Sequence, residues 1–143
     1  LDAIAVLMTI PLIQGTLRYA YKCDPAALNE GDEKCAEAYA FAAAVLPQID
    51  NCNSAAAMTV KMNLIPGAGI PDGYEAVKAA LEVTYTCLGI ECSDVGGLWD
   101  SSNSAYYSGM EACLANPVVL AVSLTVTMDC TTCALMCLSR ARQ

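Results

Sequence analysis

The chain has 143 residues, 56% of them hydrophobic and only 15% charged, with 15 acids against 7 bases and a net charge of −8. The length suits one compact domain or two small fused units with a sizeable core. The acidic balance disfavours nucleic acid and anionic membrane surfaces, since both reward clustered Lys and Arg.

The apolar content exceeds that of an ordinary soluble domain, so the surplus surface asks for cover by another subunit, a lipid or a bilayer. Nine cysteines with no histidine form a disulfide composition rather than a zinc one. They place the chain in an oxidising compartment: extracellular, secretory, periplasmic or an organelle lumen. The candidates are Cys23, Cys35, Cys52, Cys87, Cys92, Cys113, Cys130, Cys133 and Cys137. An odd number leaves one thiol free or bonded to another chain, and sequence does not choose among the pairings. The start at Leu1 rather than Met agrees with a removed signal peptide.

In chain order, Asp2 to Lys22 reads as a helix with no charge from Ala3 to Leu17. Pro11 is expected to kink or split it, because proline removes one backbone hydrogen bond. The run is too short and too interrupted for an ordinary membrane span. It is either a core helix or a helix buried in a neighbouring subunit. Asp24 to Lys34 is a polar, acidic loop whose spacing is not that of an EF-hand. Cys35 to Leu46 is an alanine-rich helix that Pro47 should end or kink. Asn53 or Ser54 can cap a further helix, Ala55 to Leu64.

Residues 65–71, IPGAGIP, form the clearest linker, dividing a first unit (1–64) from a second (72–143). Asp72 and Glu75 have the spacing of a capping box, opening a helix to about Thr86. A further helix is expected to start near Ser102 to Ser104.

The two units repeat one another. Sliding Gly31 onto Gly109 superposes Glu33 on Glu111, Cys35 on Cys113, Cys52 on Cys130 and Met58 on Met136. Upstream, Leu17, Tyr21 and Cys23 match Leu81, Tyr85 and Cys87, which places an insertion at 88–101 in the second unit. The implied fold class is mainly α: a disulfide-stapled helical domain of two pseudo-repeated units and about six helices. Each unit should open with an αα-hairpin, so Cys23–Cys35 and Cys87–Cys113 are the natural staples. Residues 119–128 carry a conflict. Leu120, Val122, Leu124, Val126 and Met128 alternate as in a short strand, whereas the repeat favours a helix.

Cys130-x-x-Cys133-x-x-x-Cys137 shares one face if helical, and three thiolates there, with Cys92 as a fourth, are a metal option. Disulfide halves are the favoured reading, so no metal is expected. The second unit adds Cys92, Cys133 and Cys137, of which two can pair and one is left over. Without histidine the Ser-His-Asp and Cys-His arrangements are absent. No phosphate-binding or dinucleotide fingerprint occurs either. The chain is therefore read as a non-enzyme with no cofactor.

Trp99, Tyr106 and Tyr107 in the second unit's long loop suit a contact surface or, alternatively, a plug that closes the loop onto the core. With Leu1, Ile4, Leu7, Met8 and Leu12 they are the assembly candidates. The functional expectation is a secreted or lumenal structural subunit that assembles with copies of itself or other subunits, as a filament or closed complex, through apolar N- and C-terminal segments. The alternatives are a carrier of lipid or a small apolar ligand, with methionines lining a cavity, and a membrane-associated accessory subunit.

Overall fold

The computed structural model describes residues 3–113. Six helices follow one another: α1 (Ala3–Cys23), α2 (Asp32–Cys52), α3 (Ser54–Leu64), α4 (Gly73–Glu82), α5 (Tyr85–Leu88) and α6 (Cys92–Val95). Two short strands, β1 (Trp99–Asp100) and β2 (Ala105–Tyr106), pair antiparallel with Trp99 opposite Tyr106. The protein is thus mainly helical and disulfide-rich, as its sequence indicates.

α1 and α2 form an antiparallel hairpin, stapled at its turn by Cys23–Cys35 with a Cα separation of 4.8 Å. This is the pairing expected from the short loop between them. Gly15 allows the close approach, because a Cβ there would run into the ring of Phe41. Tyr19 stacks on the same ring, with centroids 5.5 Å apart. α2 starts earlier than Cys35, and Asp32 and Glu33 occupy its first turn, where carboxylates meet the positive end of the helix dipole.

Both helices run through their prolines, so Pro11 does not split α1 and Pro47 does not end α2. The hydrogen bonds they forfeit are those to the Leu7 and Ala43 carbonyls. All four residues are exposed, so water can replace the lost donors. Being continuous over 21 residues, α1 is long and apolar enough to cross a membrane by length and composition alone, contrary to the expectation of a run too short for it. Its inner side nevertheless helps to build the core.

The core lies where α1, α2, α3 and α4 meet. Ile13, Val45, Ile49, Val60, Val77 and Leu81 are all fully buried there. α3 is capped by Asn53, whose side chain accepts from the Ala56 N–H at 3.0 Å.

α4 is capped differently from the capping box expected at Asp72 and Glu75. The carboxylate at its N-terminus belongs to Asp24, which is buried. Its Oδ2 accepts from the Tyr74 N–H at 2.7 Å, while its Oδ1 accepts from the Ala26 N–H in its own turn. Asp72 is taken up by the buried Asn63, whose Nδ2 donates to Asp72 Oδ2 at 3.0 Å and whose Oδ1 accepts from the Asp72 N–H at 2.9 Å.

The helix also ends at Glu82, short of Thr86. Thr84 is fully buried and its hydroxyl donates to the Leu81 carbonyl at 2.6 Å, so the chain turns there before α5 begins.

That turn changes the disulfides. α5 packs against α2, and Cys87 bonds to Cys52 across 35 residues rather than to Cys113. Cys113 bonds instead to Cys92, at the start of α6. The first unit's pairing is therefore not repeated in the second. The helix expected near Ser102 to Ser104 is also replaced, by the turn between β1 and β2. Asp100 organises that turn, accepting from the Ser102 N–H at 2.9 Å and from Asn103 Nδ2 at 2.6 Å. The 119–128 segment, for which strand and helix compete, lies outside the described residues.

Candidate functional site: an apolar pole and a small cleft

Charge is distributed unequally along the α1–α2 hairpin. The end stapled by Cys23–Cys35 carries Lys22, Glu30, Asp32, Glu33, Lys34 and Glu37, with Lys22–Glu30 at 2.8 Å and Lys34–Glu37 at 3.0 Å. Towards the opposite end charge disappears: α1 is uncharged from Ala3 to Leu17, and α2 from Ala38 to Ile49. Exposed side chains on a helix of a soluble domain are normally polar. Here Ile4, Leu7 and Met8 are 72%, 66% and 65% exposed. On α2 the exposed face reads Ala36, Tyr39, Ala40, Ala43, Ala44 and Pro47 at helical spacing. The surface is thus uncharged from Ala3 to Leu17 and from Ala38 to Ile49, with the exposed Asp50 closing the α2 face, on two helices whose other sides build the core.

The sequence-derived assembly residues divide accordingly. Ile4, Leu7 and Met8 are on this surface, and Leu12 is half-buried against the core. Leu1 lies outside the described residues. Trp99 and Tyr106 form an exposed cross-strand pair, edge to face at 5.2 Å. Tyr107 turns inward instead, its ring 5.5 Å from that of Tyr21. The loop aromatics therefore supply both a contact surface and a plug. Sequence reasoning missed the α2 face, although the charge-free run and its spacing were there to be read. Met58 and Met62 of α3, two of the methionines expected to line a cavity, are exposed instead.

A cleft of about 230 Å³ lies beside the middle of α1. Gln14, Leu17 and Arg18 form one wall, Tyr74, Lys78, Glu82 and Tyr85 another, and Val95 to Leu98 with Met110, Glu111 and Cys113 the third. Gln14 Nε2 donates to the Val95 carbonyl at 2.8 Å, fixing α6 on α1. Lys78 Nζ donates to the Gly109 carbonyl at 2.7 Å and lies 3.8 Å from Glu82.

Burial raises the Glu82 carboxyl above the ordinary glutamate range, only partly offset by Lys78. Burial likewise raises the Tyr74 and Tyr85 phenols above the ordinary tyrosine range. The cleft is smaller than the ~300–1,000 Å³ of ordinary ligand sites, and Gln14 and Lys78 in its walls donate to backbone carbonyls.

Cys92 is committed to Cys113, so it is not available as a fourth metal ligand or as a spare thiol. Cys130, Cys133 and Cys137 lie outside the described residues. The three disulfides among the described residues are compatible with an oxidising compartment.

Fold and surface together define, among the described residues, a disulfide-bonded helical protein with an apolar face on α1 and α2. No protein-family model matches the chain, and no curated protein or solved structure matches it.

Proposed function

We propose that this protein is a non-enzymatic structural subunit, secreted or lumenal, that self-assembles into a filament or larger complex through its apolar N- and C-terminal segments. The observation that carries the reading is the exposure of Ile4, Leu7 and Met8 on a helix with no charge over fifteen residues. Contiguous exposed apolar surface of this kind marks an interaction site. The uncharged α2 face beside it and the Trp99–Tyr106 pair extend the contact surface. The acidic remainder of the chain keeps the free subunit soluble. The carrier reading draws less support, because the described cleft is small and partly polar.

Met8→Asp tests the proposal. Met8 is exposed, so the substitution should leave the helical circular dichroism unchanged while abolishing high-molecular-weight species in light scattering and negative-stain microscopy. A native protein that is monomeric at high concentration under oxidising conditions, or a Met8→Asp variant that assembles as well as wild type, would overturn it.

A further inference from the structure

The three disulfides among the described residues differ in what surrounds them. Cys23–Cys35 closes the hairpin turn, with Cys23 only 3% exposed. Cys92 and Cys113 are both half-buried. In Cys52–Cys87, Cys52 is half-buried while Cys87 lies open to solvent, the one exposed cysteine in these three bonds. Thiol–disulfide exchange begins when a thiolate reaches one of the two sulfurs, so access decides which bond is attacked first.

The exposed bond fastens a short element. α5 has only four residues. Its hydrogen bonds are local: the Leu88 N–H donates to the Thr84 carbonyl, Gly89 to Thr86 and Ile90 to Tyr85. Among the described residues, no hydrogen bond ties 85–90 to α1 or α2. What holds α5 is the burial of Tyr85 and Leu88 and the covalent link from Cys87 to Cys52, the last residue of α2. An antiparallel hairpin places that end of α2 beside the start of α1. Gly89, just after α5, sits there too, since a Cβ on it would lie 3.8 Å from Val6 Cγ2. α5 thus ends over Val6, with the exposed Leu7 next in sequence.

We propose that Cys87 is a site of attack by external thiols, and that Cys52–Cys87 is a redox-labile clamp on α5. The thiolate of a small dithiol bonds to Cys87 Sγ, the S–S bond breaks, and Cys52 leaves as a thiolate that takes up a proton. The second sulfur of the dithiol, on losing its proton, closes on the first and releases Cys87, which is protonated in turn. Two electrons pass from the dithiol, which ends as a cyclic disulfide, to the two cysteines, which end as thiols. A monothiol, with no second sulfur to close the ring, leaves a mixed disulfide on Cys87. The α1–α2 hairpin keeps its own staple at Cys23–Cys35, so the opening is local to α5. Release of α5 uncovers Leu88 and Val6 and enlarges the apolar face beside Leu7. The clamp needs no partner subunit to operate and is independent of assembly.

The test uses the full-length, disulfide-bonded protein, treated with graded dithiothreitol without denaturant, alkylated with N-ethylmaleimide and mapped by peptide mass spectrometry. Alkylation at Cys52 and Cys87 should appear about tenfold or more faster than at Cys23, Cys35, Cys92 or Cys113. Earlier opening of either other bond, or opening of all three together at the rate of global unfolding, would overturn the assignment. Glutathione in place of the dithiol should add its mass to the peptide carrying Cys87, and an adduct on Cys52 instead would overturn the site of attack. Hydrogen exchange on the partly reduced protein reads the clamp. Residues 85–90 should lose protection about tenfold or more while α1 and α2 keep theirs. Unchanged protection over 85–90 would show that burial alone holds α5 and would overturn the clamp. Cys52→Ser with Cys87→Ser should reproduce that exchange pattern without reductant. Should the double variant fail to fold, the order of reduction and the exchange in the native protein still decide.

Discussion

The part of the molecule from α1 to α4 and the segment from Gly89 to Cys113 are held together by different means. In the first, apolar side chains from every helix converge and Ile13, Val45, Ile49, Val60, Val77 and Leu81 lose all contact with solvent. In the second, only Ile90, Val95 and Met110 are buried apolar residues. The segment is fastened at points: Cys92–Cys113 at its ends, the Leu98–Met110 backbone bond, and Gly109 against α4 through Lys78 and Tyr74. Burial gives cooperative stability that a single deletion weakens everywhere. Point fastening gives a segment that can be released alone.

Substitutions that act on one side only can break or sharpen this contrast. Leu81→Ala should have the largest effect, lowering global stability by about 2–5 kcal/mol through lost burial and a cavity, seen as a single shifted denaturation transition. Cys92→Ser with Cys113→Ser removes a 21-residue cross-link, worth about 3 kcal/mol in the chain-entropy model. Hydrogen exchange should then rise in residues 96–113 while the amides of α1 to α4 keep their protection. Loss of protection in both regions would show that they are one cooperative unit.

Gly109→Ala comes next. Its φ is +75°, and a Cβ would meet Glu75. The left-handed backbone implies a cost of about 1–2 kcal/mol, again confined to the loop.

The pH effects are smaller and opposite in sign. The side-chain hydrogen bond from Asn103, with backbone bonds from the turn, lowers the Asp100 carboxyl below the ordinary aspartate range. Its contribution is present above that range and lost as pH falls through the lowered value. Trp99 fluorescence should therefore change in acid before the helical signal does, and Asp100→Asn should remove that pH dependence. Glu82 behaves the other way. Burial raises it, so its contribution is present below the ordinary glutamate range and lost as pH rises through the raised value. Glu82→Gln should flatten this fall and slightly raise the melting temperature at neutral pH, the smallest change of the set.

The same contrast explains what the sequence could disclose. The α1–α2 hairpin and Cys23–Cys35 were legible because the signals are local: a helix, a short polar loop and a second helix between two cysteines. The N-terminus of α4 was legible as a position but not as chemistry. Its carboxylate comes from Asp24, fifty residues away in sequence, and no local pattern encodes that. The Cys87–Cys113 pairing failed because repetition of sequence was carried over to repetition of bonding. The turn at Val83–Thr84 and the added Cys92 sent the two cysteines to different partners. Ser102 to Ser104 resembled a helix start because the residues that cap helices also build tight turns, and Asp100 decides between them. For the candidate surface, Ile4, Leu7 and Met8 could be named from periodicity alone. The inward turn of Tyr107 depended on Tyr21 lying beneath it.

The Cys52–Cys87 bond has a consequence in time. Cys23 and Cys35 can meet as soon as the first hairpin exists, but Cys52 must wait for 35 more residues. At roughly 5–20 residues per second that is about 2–7 seconds during synthesis, with an unpaired thiol at the far end of α2, about 25 Å from Cys35 at the helical rise. Once formed, α2 keeps that thiol away from the Cys23–Cys35 bond, so thiol–disulfide exchange between them is open only while the helix is unformed, and docking of α5 against α2 brings Cys52 its partner.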